Sequence, residues 1–376
     1  MTETLSKKQE EILKKFYTGP SENVLLNKSE RDALWKKTKQ KKTYDSSVLP
    51  DIKCPALFHQ IQRSMESGNN IQSAVFSECA YAQTLANMFG LEKFVNCEED
   101  DFSFPEGVKN LLSSNNLEPR YVYLSKDNTG MLIQAGGCEG VDSAYITIPE
   151  LSIYTIEFKE PYAKTSEPDL PKYDESGKLV IEEEWIRKNP QFKKMIYEHT
   201  DLNFFDNMGK NIHDFTYDSV AYAVEWNYQS KKKADVICTE DQNGCFVMIP
   251  ANHASQWAEI EGEIRPAGRN HYKVWTKDAL KGFLKAMDAV GDRRIGVDKS
   301  KLKIRNPRGG EDVPTGYKIN SLFFVLAENC EEKDGMIYFD IDDVRQIKPT
   351  IAGKMSFKNL RYEDVKKYYG FIAENT

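Results

Sequence analysis

In the stretch Gly140 to Pro161, GVDSAYITIPELSIYTIEFKEP, Glu157 and Lys159 stand two residues apart at the end of an apolar, β-branched run. A strand sends alternate side chains to opposite faces, so this acid and this base share one face while Ile156 and Phe158 take the other. Pro149 fixes φ near the value needed at the second position of a type I turn. Ile148 to Leu151 therefore reads as a four-residue hairpin loop that pairs Thr147 with Ser152. Continuing that register sets Asp142 across from Glu157, with β-carbons within about 5.5 Å. Two carboxylates and one ammonium then converge. Such a set suits a hard divalent cation, which takes oxygen ligands and completes its shell with water and phosphate, while an adjacent lysine orients or deprotonates a water. The chemistry it points to is phosphodiester hydrolysis.

The tripeptide acid-x-Lys means little alone, because it recurs at Asp51 to Lys53, Glu331 to Lys333 and Asp364 to Lys366. The copy at Glu157 differs in ending a β run with an Asp at the matching register. Glu78, beside the apolar stripe of a helix, is a candidate fourth acid, since a carboxylate there is costly unless paired or bound to metal. Glu160 points away from Glu157 by alternation. Glu139 has opposite strand parity to Asp142 and replaces it only if a bulge falls at Gly140.

These residues need a sheet and a helix to hold them. The runs YVYL, MLIQA, AYITI and LSIYTIEF between residues 119 and 161 predict an antiparallel meander, and NIQSAVFSECAYAQTLANMF predicts a helix over 70–89 with Gly90 as its stop. An amphipathic helix is expected over 5–17, a basic and partly helical segment over 35–42, a Pro-rich connection over 162–180 and a mostly helical stretch over 182–208. Ala234 to Cys238 and Cys245 to Pro250 read as a hairpin across EDQNG. Beyond residue 252 the pattern is irregular apart from a helix near 277–290 and a strand in NSLFFVLA. Soft boundaries thus divide the chain into an N-terminal helical, basic extension (1–60), a core (61–251) and a C-terminal portion (252–376).

A hairpin with Asp on its first strand and Glu-x-Lys on its second, preceded by a helix carrying Glu, resembles the PD-(D/E)XK nuclease superfamily. EFKEPYAKTSEPDL gives it a type II restriction endonuclease cast. The resemblance covers about residues 70 to 250, and Val141 stands where the motif has Pro. It implies an α/β fold, a restriction-endonuclease-like mixed sheet flanked by helices, with helical N-terminal and irregular C-terminal additions. It also implies Mg²⁺ on Asp142, Glu157 and the Phe158 carbonyl, with Lys159 activating water.

For DNA contact, Arg293 to Arg308 holds seven cations (Arg293, Arg294, Lys299, Lys301, Lys303, Arg305 and Arg308) against one Asp, enough to neutralise several phosphates. Arg265, Arg269, Asn270, His271 and Lys273 form a second group whose side-chain types read guanine and adenine edges. Both groups also fit the reading of a solvated face. The partner expected is double-stranded DNA, met by a homodimer whose two-fold axis matches a palindromic site.

The composition agrees. A chain of 376 residues with 40% apolar content buries a sizeable core, and its net charge of −7 argues against coating nucleic acid everywhere. No apolar run reaches membrane-span length, and the N-terminus lacks a secretory pattern, so a cytoplasmic location is expected. Seven cysteines without a C-x-x-C pair point to reduced thiols. Rival readings are a repair or junction-resolving nuclease of the same superfamily, and a non-catalytic DNA-binding module with a degenerate nuclease core.

Overall fold

The structure is a computed structural model that describes residues 4–40, 52–68, 71–136, 140–162, 183–188, 228–229, 232–266, 277–305, 316–319, 323–346 and 349–374. The chain forms two compact units: Met1–Lys164, Ala221–Ile260 and Met355–Thr376 make one, and Thr165–Val220 and Glu261–Lys354 the other. The boundary drawn near 252 falls a little before the passage from Ile260 to Glu261, the third of four between them. The C-terminal helix Tyr362–Glu374 belongs to the first unit, where it packs on the N-terminal helix.

The first unit is α/β, a mixed seven-stranded sheet flanked by helices, as the restriction-endonuclease-like resemblance implies. Helix α1 (Lys7–Thr18) begins at a capping box between Ser6 and Gln9 and buries Ile12, Leu13, Phe16 and Tyr17 along one stripe. Helices α2 (Lys28–Gln40) and α3 (Pro55–Ser67) both pack on α4 (Ser73–Met88). That explains why α4 is apolar on more than one side: Phe76, Cys79, Tyr81, Ala82 and Leu85 are all buried. Its other side lies on the sheet, and Gly90, at φ +68°, turns the chain into the first strand.

Strand β1 (Leu91–Asn96) and helix α5 (Glu106–Ser114) come before the meander. The sheet then runs in sequence order through β2 (Pro119–Ser125), β3 (Gly130–Ala135), β4 (Ser143–Thr147), β5 (Ser152–Phe158), β6 (Val236–Glu240) and β7 (Phe246–Pro250). Every neighbouring pair is antiparallel except β5 and β6, which are parallel. A parallel pair demands a crossover, and residues 159–235, including the 165–220 part of the second unit, supply it. The expected β6/β7 hairpin is present, closed by Asp241, whose Oδ1 accepts from the backbone N–H groups of Asn243 and Cys245 at 2.7 and 2.9 Å.

The second unit corrects the expectation of irregular structure. Its described residues include helix Lys277–Ala286, a three-stranded sheet (Arg294–Asp298, Cys330–Lys333, Met336–Asp340) and a four-stranded one (Lys303–Arg305, Gly316–Lys318, Phe323–Leu326, Arg345–Gln346). Leu280, Leu284, Val297, Val325, Ile337 and Phe339 share its core. These strands are two to five residues long and carry charges on their open faces, so no long alternation marks them. Of the helix expected over 182–208, Glu183–Lys188 is described and the rest lies outside the described residues. Among the described residues no helix is long and apolar enough to cross a membrane, and the six described cysteines are free thiols.

Candidate active site

Strands β4 and β5 pair Thr147 with Ser152 and Ser143 with Ile156, the register set by the four-residue loop, with Leu151 closing it at φ +50°. Asp142 lies one residue before β4 and is held on both sides. Its carbonyl accepts from the Ala135 N–H at 2.9 Å, and its carboxylate Oδ2 accepts from the Phe158 N–H at 2.8 Å. The acid expected across from Glu157 is thus hydrogen-bonded to the residue that follows Glu157.

Glu157 sits between β4 and β6 with 0% exposure. The Lys159 ammonium is 2.6 Å from its Oε1, and the Lys232 ammonium is 3.1 Å from the same oxygen. Both carboxylate oxygens are buried, and neither has a well-aligned hydrogen-bond partner among the described residues. Lys159 stays in the ladder because its N–H donates to the Cys238 carbonyl at 2.9 Å, and its ammonium lies 5.8 Å from the Tyr228 ring centroid. Phe158 turns the other way, its ring edge-on to Tyr81 of α4. Strand alternation therefore holds through the motif.

Lys232 was not anticipated. Its ammonium also donates to the Gly140 carbonyl at 3.0 Å. The segment that carries it is pinned to β5: the Thr155 hydroxyl donates to the Lys233 carbonyl at 2.7 Å, and the Asp235 carboxylate accepts from the Thr155 N–H at 2.9 Å. Lys233 adopts the left-handed backbone region at φ +55°, uncommon for a residue with a long side chain. The sequence signal was the run Lys231 to Lys233 leading straight into an apolar strand.

The enclosed charges perturb one another. Burial, then the nearby Glu157 and Glu78, pushes the Asp142 carboxyl up to about 8, against the opposing pull of Lys159 and Lys232. Burial also raises Glu78, with Lys159 opposing and Glu157 adding. Glu78 therefore shares the electrostatic environment of this cluster, as its place on α4 suggested. For Lys159, burial works against the charge, but Glu157, Tyr228 and Asp142 outweigh it and hold the ammonium above its ordinary value.

No three His, Cys, Asp or Glu side chains among the described residues are gathered closely enough to hold a metal alone. The set nonetheless fits Mg²⁺, which uses one or two carboxylates and fills its remaining positions with water and phosphate. The buried Glu157 carboxylate, without a well-aligned hydrogen bond to either oxygen among the described residues, is the group such an ion would satisfy.

The other candidates are not gathered here. Glu160 accepts a hydrogen bond from the Ser77 hydroxyl. In the second unit, Arg293 pairs with Asp340 at 3.2 Å, Lys299 with Glu332 at 2.6 Å, Lys301 with Asp288 at 2.7 Å, and Arg294 with Glu331. Four cations expected at phosphates are thus matched by acids of their own unit. Lys303 is exposed and has no acid partner among the described residues. Arg265 and Arg305 lie on strands Glu259–Pro266 and Lys303–Arg305. Glu139, Arg269, Asn270, His271, Lys273 and Arg308 lie outside the described residues.

No protein-family model and no curated protein matches the chain. Among solved structures it is similar to HhaI endonuclease in complex with DNA, at 15% identity over 71% of this chain and 97% of that one, with a TM-score of 0.32. So loose a superposition bears on neither the site nor its chemistry.

Proposed function

We propose that this protein is a Mg²⁺-dependent endonuclease that hydrolyses phosphodiester bonds of double-stranded DNA at specific sites, in the manner of a type II restriction enzyme. The observation that carries the reading is the buried Glu157, whose carboxylate has two ammonium groups within ion-pair distance, has no well-aligned hydrogen bond to either oxygen among the described residues, and lies beside an Asp142 fixed by the Phe158 N–H. Asp142, Glu157 and the Phe158 carbonyl would hold the ion. Once bound, it would act as a Lewis acid that stabilises charge on the phosphate and the leaving oxygen.

The chain's own residues do the rest. Lys159, 2.6 Å from the Glu157 carboxylate, orients or deprotonates the attacking water. Glu78, whose carboxyl burial raises above its ordinary value, belongs to the same cluster. In this reading a homodimer sets two such centres on opposite strands, and Lys303 is the first residue of the basic run to test for phosphate contact.

Incubation of the full chain with mixed-sequence DNA and Mg²⁺ tests the proposal. Discrete fragments support a site-specific enzyme. A smear or structure-dependent nicking would assign it to repair or junction resolution, and an intact substrate would make it a binding module.

A further inference from the structure

Lys232 has a feature that the proposed chemistry does not use. Its ammonium bridges the Glu157 carboxylate, 3.1 Å away, and the Gly140 carbonyl, 3.0 Å away, so it ties the segment leading into Asp142 to the acid on β5. A carboxylate as deeply enclosed as Glu157 needs a compensating charge close by. Lys159 and Lys232 both supply one, and both also act on the neighbouring Asp142 and Glu78.

The two lysines are not equivalent. Lys159 is the closer, its backbone is locked into the β5/β6 ladder, and its stem leaves from the same strand face as Glu157. Lys232 arrives from another segment and has a second acceptor. It can give up Glu157 and still keep the Gly140 carbonyl, so its ammonium is not stranded when the carboxylate takes a different cation.

Resting on the metal-site reading above, we propose that Lys232 is a resident counter-cation. It neutralises Glu157 in the metal-free protein and yields that carboxylate to a divalent ion. Metal binding then competes with an internal ion pair, and the site stays ordered without metal.

The test is Mn²⁺ binding to the full chain without DNA, followed by calorimetry and by the electron paramagnetic resonance of free Mn²⁺, together with melting temperatures. Lys232→Met, which keeps the stem and loses the charge, should bind Mn²⁺ at least tenfold more tightly than the parent. It should also melt lower without metal, with most of that deficit recovered at saturating Mn²⁺. Lys232→Arg should bind within about threefold of the parent. If Lys232→Met does not fold, Lys232→Gln, which retains a donor for Gly140, carries the same expectation of tighter binding. Weaker or unchanged binding in the charge-removing variants, with the parent still binding Mn²⁺, would overturn this role and leave the metal site standing. A parent that binds no Mn²⁺, or binds it equally well after Glu157→Ala, would overturn both.

Discussion

Two buried carboxylates in the first unit each face a cation, and they are built differently. Glu240 on β6 is 3% exposed and meets Arg31 of α2, itself 2% exposed. Both its oxygens are engaged by the guanidinium, Oε2 at 3.1 Å, while Arg31 also donates to the Leu26 carbonyl at 2.6 Å and lies over the Tyr81 ring. Glu157 on β5 is equally enclosed, yet its two ammonium partners come within ion-pair distance without giving either oxygen a well-aligned hydrogen bond. A bidentate pair satisfies its own geometry and closes the site to anything else. An acid without such a clamp, ringed by further titratable groups, is the arrangement expected where a ligand binds. The first arrangement ties a helix to the sheet, and the second is the one on which the proposed metal site rests.

The largest effects should separate these two acids. Glu157→Gln and Lys159→Ala are expected to abolish cleavage while DNA affinity, measured in Ca²⁺, stays within about tenfold, or roughly 1.4 kcal/mol. Glu240→Gln should do the reverse, since breaking a buried pair strands the partner charge and costs about 3–5 kcal/mol in urea unfolding. Cleavage per folded molecule should survive that change. Loss of cleavage in folded Glu240→Gln would erase the distinction between the two acids.

Next in size is Asp142→Asn, which keeps the acceptor for the Phe158 N–H but removes a charge, and should cut the rate by several orders of magnitude. Glu139→Gln, of opposite strand parity, should be tolerated. Activity that survives the first change and fails in the second would mean that Glu139 is the acid that works with Glu157.

Asp142 also makes a thermodynamic prediction. Its folded-state value is raised from 3.8 to about 8, so the stability linked to its proton is present in full below about pH 4 and is lost as pH rises through 8. In chelator, the urea midpoint of the parent should fall between pH 5 and pH 8.5 by more than that of Asp142→Asn. Parallel curves for the two proteins would show that the Asp142 carboxyl is not held protonated.

What the sequence revealed follows the range of the interactions involved. The β4/β5 register was legible because one proline and a loop of four residues determine it locally, and it placed Asp142 correctly beside the Glu157 segment. The hairpin across EDQNG was legible for the same reason. Strand β1 was not, because its Glu92 and Lys93 face solvent and interrupt any alternation. The parallel pairing of β5 with β6 has no local signature either, since residues 159–235 separate the two strands. Lys232 reaches the site through that pairing, so nothing near Glu157 announced it. The run from Arg293 was legible only in its composition: seven cations are visible, but the acids on Cys330–Lys333 and Met336–Asp340 that answer several of them come from more than thirty residues further along the chain.

The smallest expected effect tests whether that run touches DNA at all. Each phosphate neutralised by a cation releases counterions and steepens the fall of affinity with salt by about 0.9 logarithmic units. A lysine already facing an acid has part of its charge spent, and an exposed pair of this kind is worth about 0–1 kcal/mol. Lys301, 2.7 Å from Asp288, should therefore contribute less than Lys303, which is exposed without an acid partner among the described residues. With DNA affinity measured in Ca²⁺ over a range of salt, Lys303→Glu should flatten the slope by about one unit. Lys301→Glu should move it by less than half as much. Equal flattening in both would mean that the Asp288 pair opens on DNA and that the ion pairs of the run are exchangeable. An unchanged slope in both would make the run a solvated face, and the phosphate contacts would then have to lie elsewhere in the chain.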